Sequence, residues 1–230
     1  MDKYVSTVGT RFPLVDAPEK VTGSGVFIED MKFPHTLFVR MVRSTISHGK
    51  VLSVDLSEAE KVPGFISSLV PGEAGTGNRF GVLPISEDET ALPAPRVLYS
   101  GAIVAAVACE TEEAAREAAL QVKVEYEELP AVLRPKDAVK KTKDPLHEDT
   151  VDGTNIHKEV DQEFGNVDGA FSSAAHVVEK ECVFDGINHG FTEPMGCIAV
   201  SEPNGRMSVY SATQVPHYLH RALAKVLEEP

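Results

Sequence analysis

Ala102-Ile103-Val104-Ala105-Ala106-Val107-Ala108-Cys109 is an unbroken apolar run, and Thr111-Glu112-Glu113 follows it almost at once. An apolar stretch of this length without alternation reads as a strand buried on both faces. Thr111 is a good N-cap, and the two acids suit the positive end of a helix. The expected helix carries Ala114, Ala115, Ala118, Ala119 and Val122 on one face of small residues, which allows close packing onto a sheet. Residues 122–126 then alternate as a further strand, which completes a compact βαβ-like unit.

Upstream of this unit, short apolar or alternating runs at 25–28, 37–42, 51–54 and 65–70 read as strands bounded by Gly, Pro or charge. Ser57-Glu58-Ala59-Glu60 has a capping-box pattern for a short helix. Gly75-Thr76-Gly77-Asn78 reads as a flexible loop, because no helix pattern follows to bring N–H groups onto a phosphate. Downstream, Asn166 is expected to cap a short helix to Ala174. Residues 177–184, 197–200 and 206–211 read as strands, and Pro216 suits the first turn of a helix with Leu219, Leu223, Val226 and Leu227 on one face. The polar stretch 140–161, rich in Lys, Asp, Gly and Thr, reads as a linker. The fold class is therefore α+β in two parts, 1–139 and 162–230.

A chain of 230 residues with 42% hydrophobic and 25% charged residues has enough apolar material for a sizeable soluble core. Its net charge of −13 disfavours nucleic acid and anionic lipid as partners. The three cysteines form no C-x-x-C pair, which excludes a zinc or iron–sulfur site built from Cys alone. Cys109 and Cys197 border apolar runs and read as buried small hydrophobes. With no apolar leader after Met1 and no membrane-spanning stretch, the expected location is cytoplasmic.

No Rossmann fingerprint, P-loop, nucleophile elbow or H-E-x-x-H motif occurs. His189 with His217 and His220, the latter two one helical turn apart, could in principle share a metal, but a surface pair is the more economical reading and no metal site is assigned. The carboxylate pairs (Glu87-Asp88-Glu89, Glu112-Glu113, Glu127-Glu128, Glu228-Glu229) fall in loops and at element ends, as solvated acids do.

Several blocks taken in order resemble the large, molybdenum-binding subunits of the xanthine dehydrogenase and aldehyde oxidase family. They are Val8-Gly9-Thr10-Arg11 through Lys20-Val21-Thr22-Gly23, Phe38 to Ser44 with His48-Gly49, Val97 to Gly101, and Val124 to Pro130. These are similar to the family's N-terminal hammerhead domain. Gly165-Asn166-Val167-Asp168-Gly169-Ala170-Phe171, His189, Glu193, the 197–200 strand and Ala212-Thr213-Gln214 are similar to the start of its molybdopterin-binding domain. The resemblance implies a hammerhead-type domain followed by the beginning of a molybdopterin-binding α+β domain. Phe80-Gly81-Val82-Leu83-Pro84-Ile85 looks closest to hydroxybenzoyl-coenzyme A reductase alpha subunits.

By this resemblance Gln214 would sit beside the molybdenum as the catalytic and cofactor-contacting residue, its neutral amide donating to an oxo ligand. His189 and Glu193 would support the same wall. The cofactor would be molybdopterin-bound molybdenum, with 2Fe-2S and FAD on iron–sulfur and flavin partner subunits and an aromatic substrate. The family's Gly-Gly-Gly-Phe-Gly pterin loop does not occur in these residues, so the chain alone is expected to bind no cofactor and to be inactive. The alternative is a non-catalytic assembly or scaffold protein that retains the hammerhead fold.

Overall fold

The structure, a computed structural model, describes residues 8–73, 75–82, 87–92, 96–147 and 150–229. It divides into two compact units: His35–Ile187 with the chain from Val215 onward, and the residues up to Pro34 with Asn188–Gln214.

In the larger unit β1 (Phe38–Arg43), β5 (Ile103–Cys109) and β3 (Phe65–Leu69) form one antiparallel sheet in the order β1-β5-β3. A second antiparallel sheet has the order β4-β2-β6, from β4 (Arg96–Val97), β2 (Gly49–Asp55) and β6 (Lys123–Glu128). As the apolar run implies, β5 is the central strand of its sheet, with Val104, Ala105, Ala106, Val107 and Cys109 all buried. Burial pushes the Cys109 thiol pKa up, so the group acts as a small hydrophobe. Helix α2 (Glu112–Gln121) starts at Thr111, whose side chain accepts from the Ala114 N–H at 3.1 Å.

The βαβ expectation is corrected in one respect. β5 and β6 do not share a sheet: β6 pairs antiparallel with β2, from Gly49↔Glu128 to Asp55↔Lys123. Two apolar clusters result. Val107, Cys109, Ala114, Ala115 and Ala118 belong to one, and Val42, Val97, Val104 and Ala105 to the other. Ala119 and Val122 pack against both, which joins them.

Other short-range signals resolve differently from their sequence pattern. Residues 25–28 form no strand, and a 3₁₀ turn runs over Ile28–Asp30 instead. The Ser57–Glu60 capping box is not made. Asp55 Oδ1 accepts from the Ser57 N–H at 2.9 Å, and a 3₁₀ turn spans Ala59–Lys61, because Pro63 leaves no room for a longer helix. Residues 177–184 are apolar at both ends but form no strand, and among the described residues no strand pairs with them. Cys197 is exposed, not buried.

The 75–78 loop is not merely flexible. Thr76 is buried, and Asn78 Nδ2 donates to the Lys225 carbonyl at 2.9 Å near the end of α5 (Pro216–Leu227). Gly75 has φ +68, and a Cβ there would collide with the Val226 carbonyl oxygen, so glycine is required twice over. Lys225 also pairs with Glu87 at 2.7 Å.

The family-like His48 is a structural hub. It is buried, its Nδ1 lies 2.8 Å from the Pro130 carbonyl, and Arg96 Nε and Nη2 reach its Nε2 at 3.0 and 2.7 Å. Arginine only donates, so Nε2 is the acceptor and Nδ1 carries the proton. Arg96 also holds Asp144 at 2.9 Å. That tie, with bonds from the Thr142 N–H to Gly153 O (2.8 Å) and from the Asn155 N–H to Ala138 O (2.9 Å), fastens much of the stretch expected as a linker.

In the smaller unit, α1 (Ala17–Thr22) ends at Gly23 in the left-handed conformation. A hairpin of β7 (Cys197–Ser201) and β8 (Met207–Ser211) leads to Gln214.

Two outcomes follow from this packing. Ala118→Leu should lower stability by about 1–3 kcal/mol through overpacking, or roughly 2–12 °C in thermal midpoint for a chain of this size. Glu117→Leu on the exposed face should change it little. An unaltered midpoint in Ala118→Leu would show slack in the α2–β5 seam. In the isolated chain, thermolysin should cut first within 174–187, where Val178 is 89% and Phe184 90% exposed. First cuts in 140–156 would instead favour a bare connection there.

Candidate functional site

Gln214 lies on an exposed bend three residues beyond the end of β8. The position is set by the hairpin register, Cys197↔Ser211 to Ser201↔Met207, and by the Ala212 N–H, which donates to the Gly196 carbonyl at 3.2 Å. His189 and Glu193 lie on the loop that enters β7. With Asn188, Gly190, Phe191, Pro194 and Met195 they line an open depression of about 400 Å³. Gln214 belongs to the same unit but does not line this depression.

The loop's shape has local causes. Asn188 Oδ1 accepts from the Gly190 N–H at 2.7 Å, and Gly190 has φ +60. This turn brings the rings of His189 and Phe191 to a stacked arrangement 5.0 Å apart, 7° from parallel. The Asn-His-Gly string carried the turn signal; nothing in the sequence marked Phe191 as the partner of His189. Glu193 is half-buried, and its Oε1 accepts from the Ile28 N–H at 3.5 Å.

His217 and His220 lie on α5, in the larger unit, and not with His189. Among the described residues, no group of three or more His, Cys, Asp or Glu side chains is arranged to hold a metal ion. No helix among them is long and apolar enough to cross a membrane.

A molybdenum cofactor is a large anion and needs converging N–H donors. In this unit Gln214 offers a neutral amide and His189 an imidazole, both exposed, whereas Glu193 offers a carboxylate already engaged with backbone. Gln214 does not line the depression that holds His189 and Glu193, so the donors do not converge on one place. They do not make a complete cradle.

Comparison with known proteins bears on both parts. Residues 22–130 match the aldehyde oxidase and xanthine dehydrogenase a/b hammerhead domain, and residues 146–230 match the molybdopterin cofactor-binding domain. The chain is 33% identical, over its whole length, to the nicotinate dehydrogenase large molybdopterin subunit of Eubacterium barkeri, of which it covers 53%. It is 33% identical to mouse xanthine dehydrogenase/oxidase over 97% of this chain and 16% of that protein. Its fold superimposes on the aldehyde oxidoreductase of Desulfovibrio gigas with a TM-score of 0.81 at 27% identity, over 96% of this chain and 25% of that one.

The two matches place a hammerhead domain ahead of a molybdopterin cofactor-binding domain. The chain belongs to the aldehyde oxidase and xanthine dehydrogenase family. It spans about half the length of the nicotinate dehydrogenase subunit and about a sixth of the xanthine dehydrogenase.

Proposed function

We propose that this chain is the hammerhead and opening molybdopterin-domain portion of a molybdenum hydroxylase or reductase acting on an aromatic ring, with Gln214 as its contact to the cofactor's metal end. The observation that carries the reading is the molybdopterin-domain match over residues 146–230, which contains His189, Glu193 and Gln214 together. The cofactor, when bound, supplies the two-electron redox chemistry. Gln214 would hold it by a neutral N–H donor, which orients without adding charge to the centre. His189, flattened against Phe191, and Glu193 would form the neighbouring wall.

An aromatic substrate is supported by the relatives' names, since nicotinate and xanthine are both nitrogen heteroaromatics. Reductive dehydroxylation of a hydroxybenzoyl thioester rests on residues 80–85 alone, of which 83–85 lie outside the described residues. Electrons would pass to or from 2Fe-2S and FAD centres on partner subunits.

The remainder of the molybdenum subunit is a required partner in this reading. The larger unit leaves large apolar side chains exposed, among them Phe164 at 86% and Val183 at 80%, a surface suited to being covered by that partner. A scaffold protein would share that surface but would not need Gln214.

In the assembled enzyme, Gln214→Ala should leave molybdenum content nearly intact and slow turnover roughly ten- to a hundredfold, the loss of one charge-assisted hydrogen bond of about 1.5–3 kcal/mol. Wild-type turnover would remove Gln214 from the site. The chain purified alone should carry no molybdenum, because one hydrogen bond of about 1 kcal/mol cannot offset the entropy of association. A stoichiometric metal signal from such a preparation would show that these residues form a complete site.

A further inference from the structure

The arm ahead of Pro34 is remote in sequence from the hairpin that ends at Gln214, and residues 22–130 match the hammerhead model. Even so, the arm and the hairpin share the smaller unit. Separate contacts join them. The Ile28 N–H donates to Glu193 Oε1 at 3.5 Å, across 165 positions of chain. Gly196 approaches Ile28 so closely that a Cβ would sit 3.4 Å from its Cγ2. Phe33 packs its ring against Tyr210 of β8, with centroids 5.5 Å apart and tilted by 40°.

The arm is itself shaped to make these contacts. Asp30 Oδ2 accepts from the Phe27 N–H at 3.0 Å and closes the turn that presents the Ile28 N–H outward. On the hairpin side, Gly196 accepts from the Ala212 N–H, two residues before Gln214. A continuous path of contacts therefore runs from Glu193 and Ile28 through Gly196 to the backbone that carries Gln214. A second runs from Phe33 through Tyr210 to the same strand.

We infer that Glu193 is a positioning residue: its carboxylate clamps the 27–33 arm beneath the hairpin, and the clamped arm fixes the place of Gln214. The catalytic half of this inference rests on the reading of Gln214 given above; the mechanical half does not. The chemistry favours such a role. A two-stranded hairpin is marginal by itself, and a long amide side chain on an exposed bend can hold one direction only if its backbone is held. A carboxylate accepts from a backbone N–H more strongly than a neutral group does, and at 3.5 Å the Glu193 bond is a long one that acts together with the Ile28–Gly196 and Phe33–Tyr210 contacts. A Cβ at 196 would lie in van der Waals contact with Ile28, which shows how near the two segments run.

Hydrogen exchange on the full-length chain tests the mechanical half without any cofactor. Glu193→Ala should speed exchange of residues 27–33 and of 207–214 together, by roughly ten- to a hundredfold. Phe33→Ala should do the same to 207–214. Glu193→Gln keeps an acceptor oxygen for the Ile28 N–H and should recover most of the protection. Residues 103–109, in the other unit, should stay protected in every variant, which shows that the fold is retained. Faster exchange in the arm with 207–214 unchanged would overturn the inference, as would a Glu193→Gln variant no better than Glu193→Ala.

In the assembled enzyme, assayed with the substrate that reduces the wild type, Glu193→Ala should lower kcat about tenfold with KM little changed. In a Gln214→Ala background the same substitution should change kcat by less than about twofold, because both act through one side chain. Independent, multiplicative losses would overturn the coupling. A wild-type rate in Gln214→Ala alone would sink the functional reading, whereas the exchange data would still decide the role of the arm.

Discussion

The seam between β5 and α2 sets the terms for the larger unit. A central strand buried on both faces must satisfy its backbone through β1 and β3 and its side chains through whatever covers them. Here the cover is a helix whose contact face is Ala114, Ala115 and Ala118, all nearly inaccessible. Such small side chains let the helix axis come close, and the close approach leaves no gap for water. Van der Waals contact over many atoms then replaces the bulk that larger side chains would provide.

That seam also dictates where the chain goes next. Helix α2 ends at Gln121, and Val122 turns straight into β6 with no loop to spare. A parallel place beside β5 is not open to it, because β1 and β3 already occupy both edges of that strand. Strand β6 pairs instead with β2, and Ala119 and Val122 become the side chains shared by both clusters. The His48–Arg96–Asp144 tie then builds on the second sheet: β2 begins at Gly49, next to His48, and β4 begins at Arg96.

This history explains what could be read from the residues. The Thr111 and Asn166 caps are local devices whose hydrogen-bond partners lie three residues on, and they, the apolar 102–109 run and Pro216 at the start of α5 appear where the pattern put them. The 25–28 and 177–184 segments carry apolar, β-branched and aromatic residues suited to a strand, but composition names no pairing partner. The capping box at Ser57 was a local signal that lost to Asp55 and Pro63. Gly75 looked like slack because its reason, the Val226 carbonyl, is 151 residues away. For the site the gap is wider. Gln214 in isolation is a strand-end glutamine, and only the ordered blocks of family-like sequence single it out. The bond of Glu193 to Ile28 had no sequence signal at all, since a carboxylate beside Pro194 does not announce a backbone donor 165 residues upstream.

The two units differ in how far they can stand by themselves, and the difference falls on the side of function. The larger unit encloses two apolar clusters and a central strand with five of its seven residues buried. The smaller has one two-stranded ladder, a short helix and a loop whose Phe191 and Met195 are 63% and 80% exposed. Local opening follows the density of buried contacts, so the unit that carries Gln214 should open at lower free energy than the one built on β5. A cofactor contact placed on such a unit gains precision from what binds against it, and ligand binding to the closed form is then linked to its stability. Within the smaller unit the residues of the proposed site are held by a few long-range ties, the Glu193 carboxylate among them.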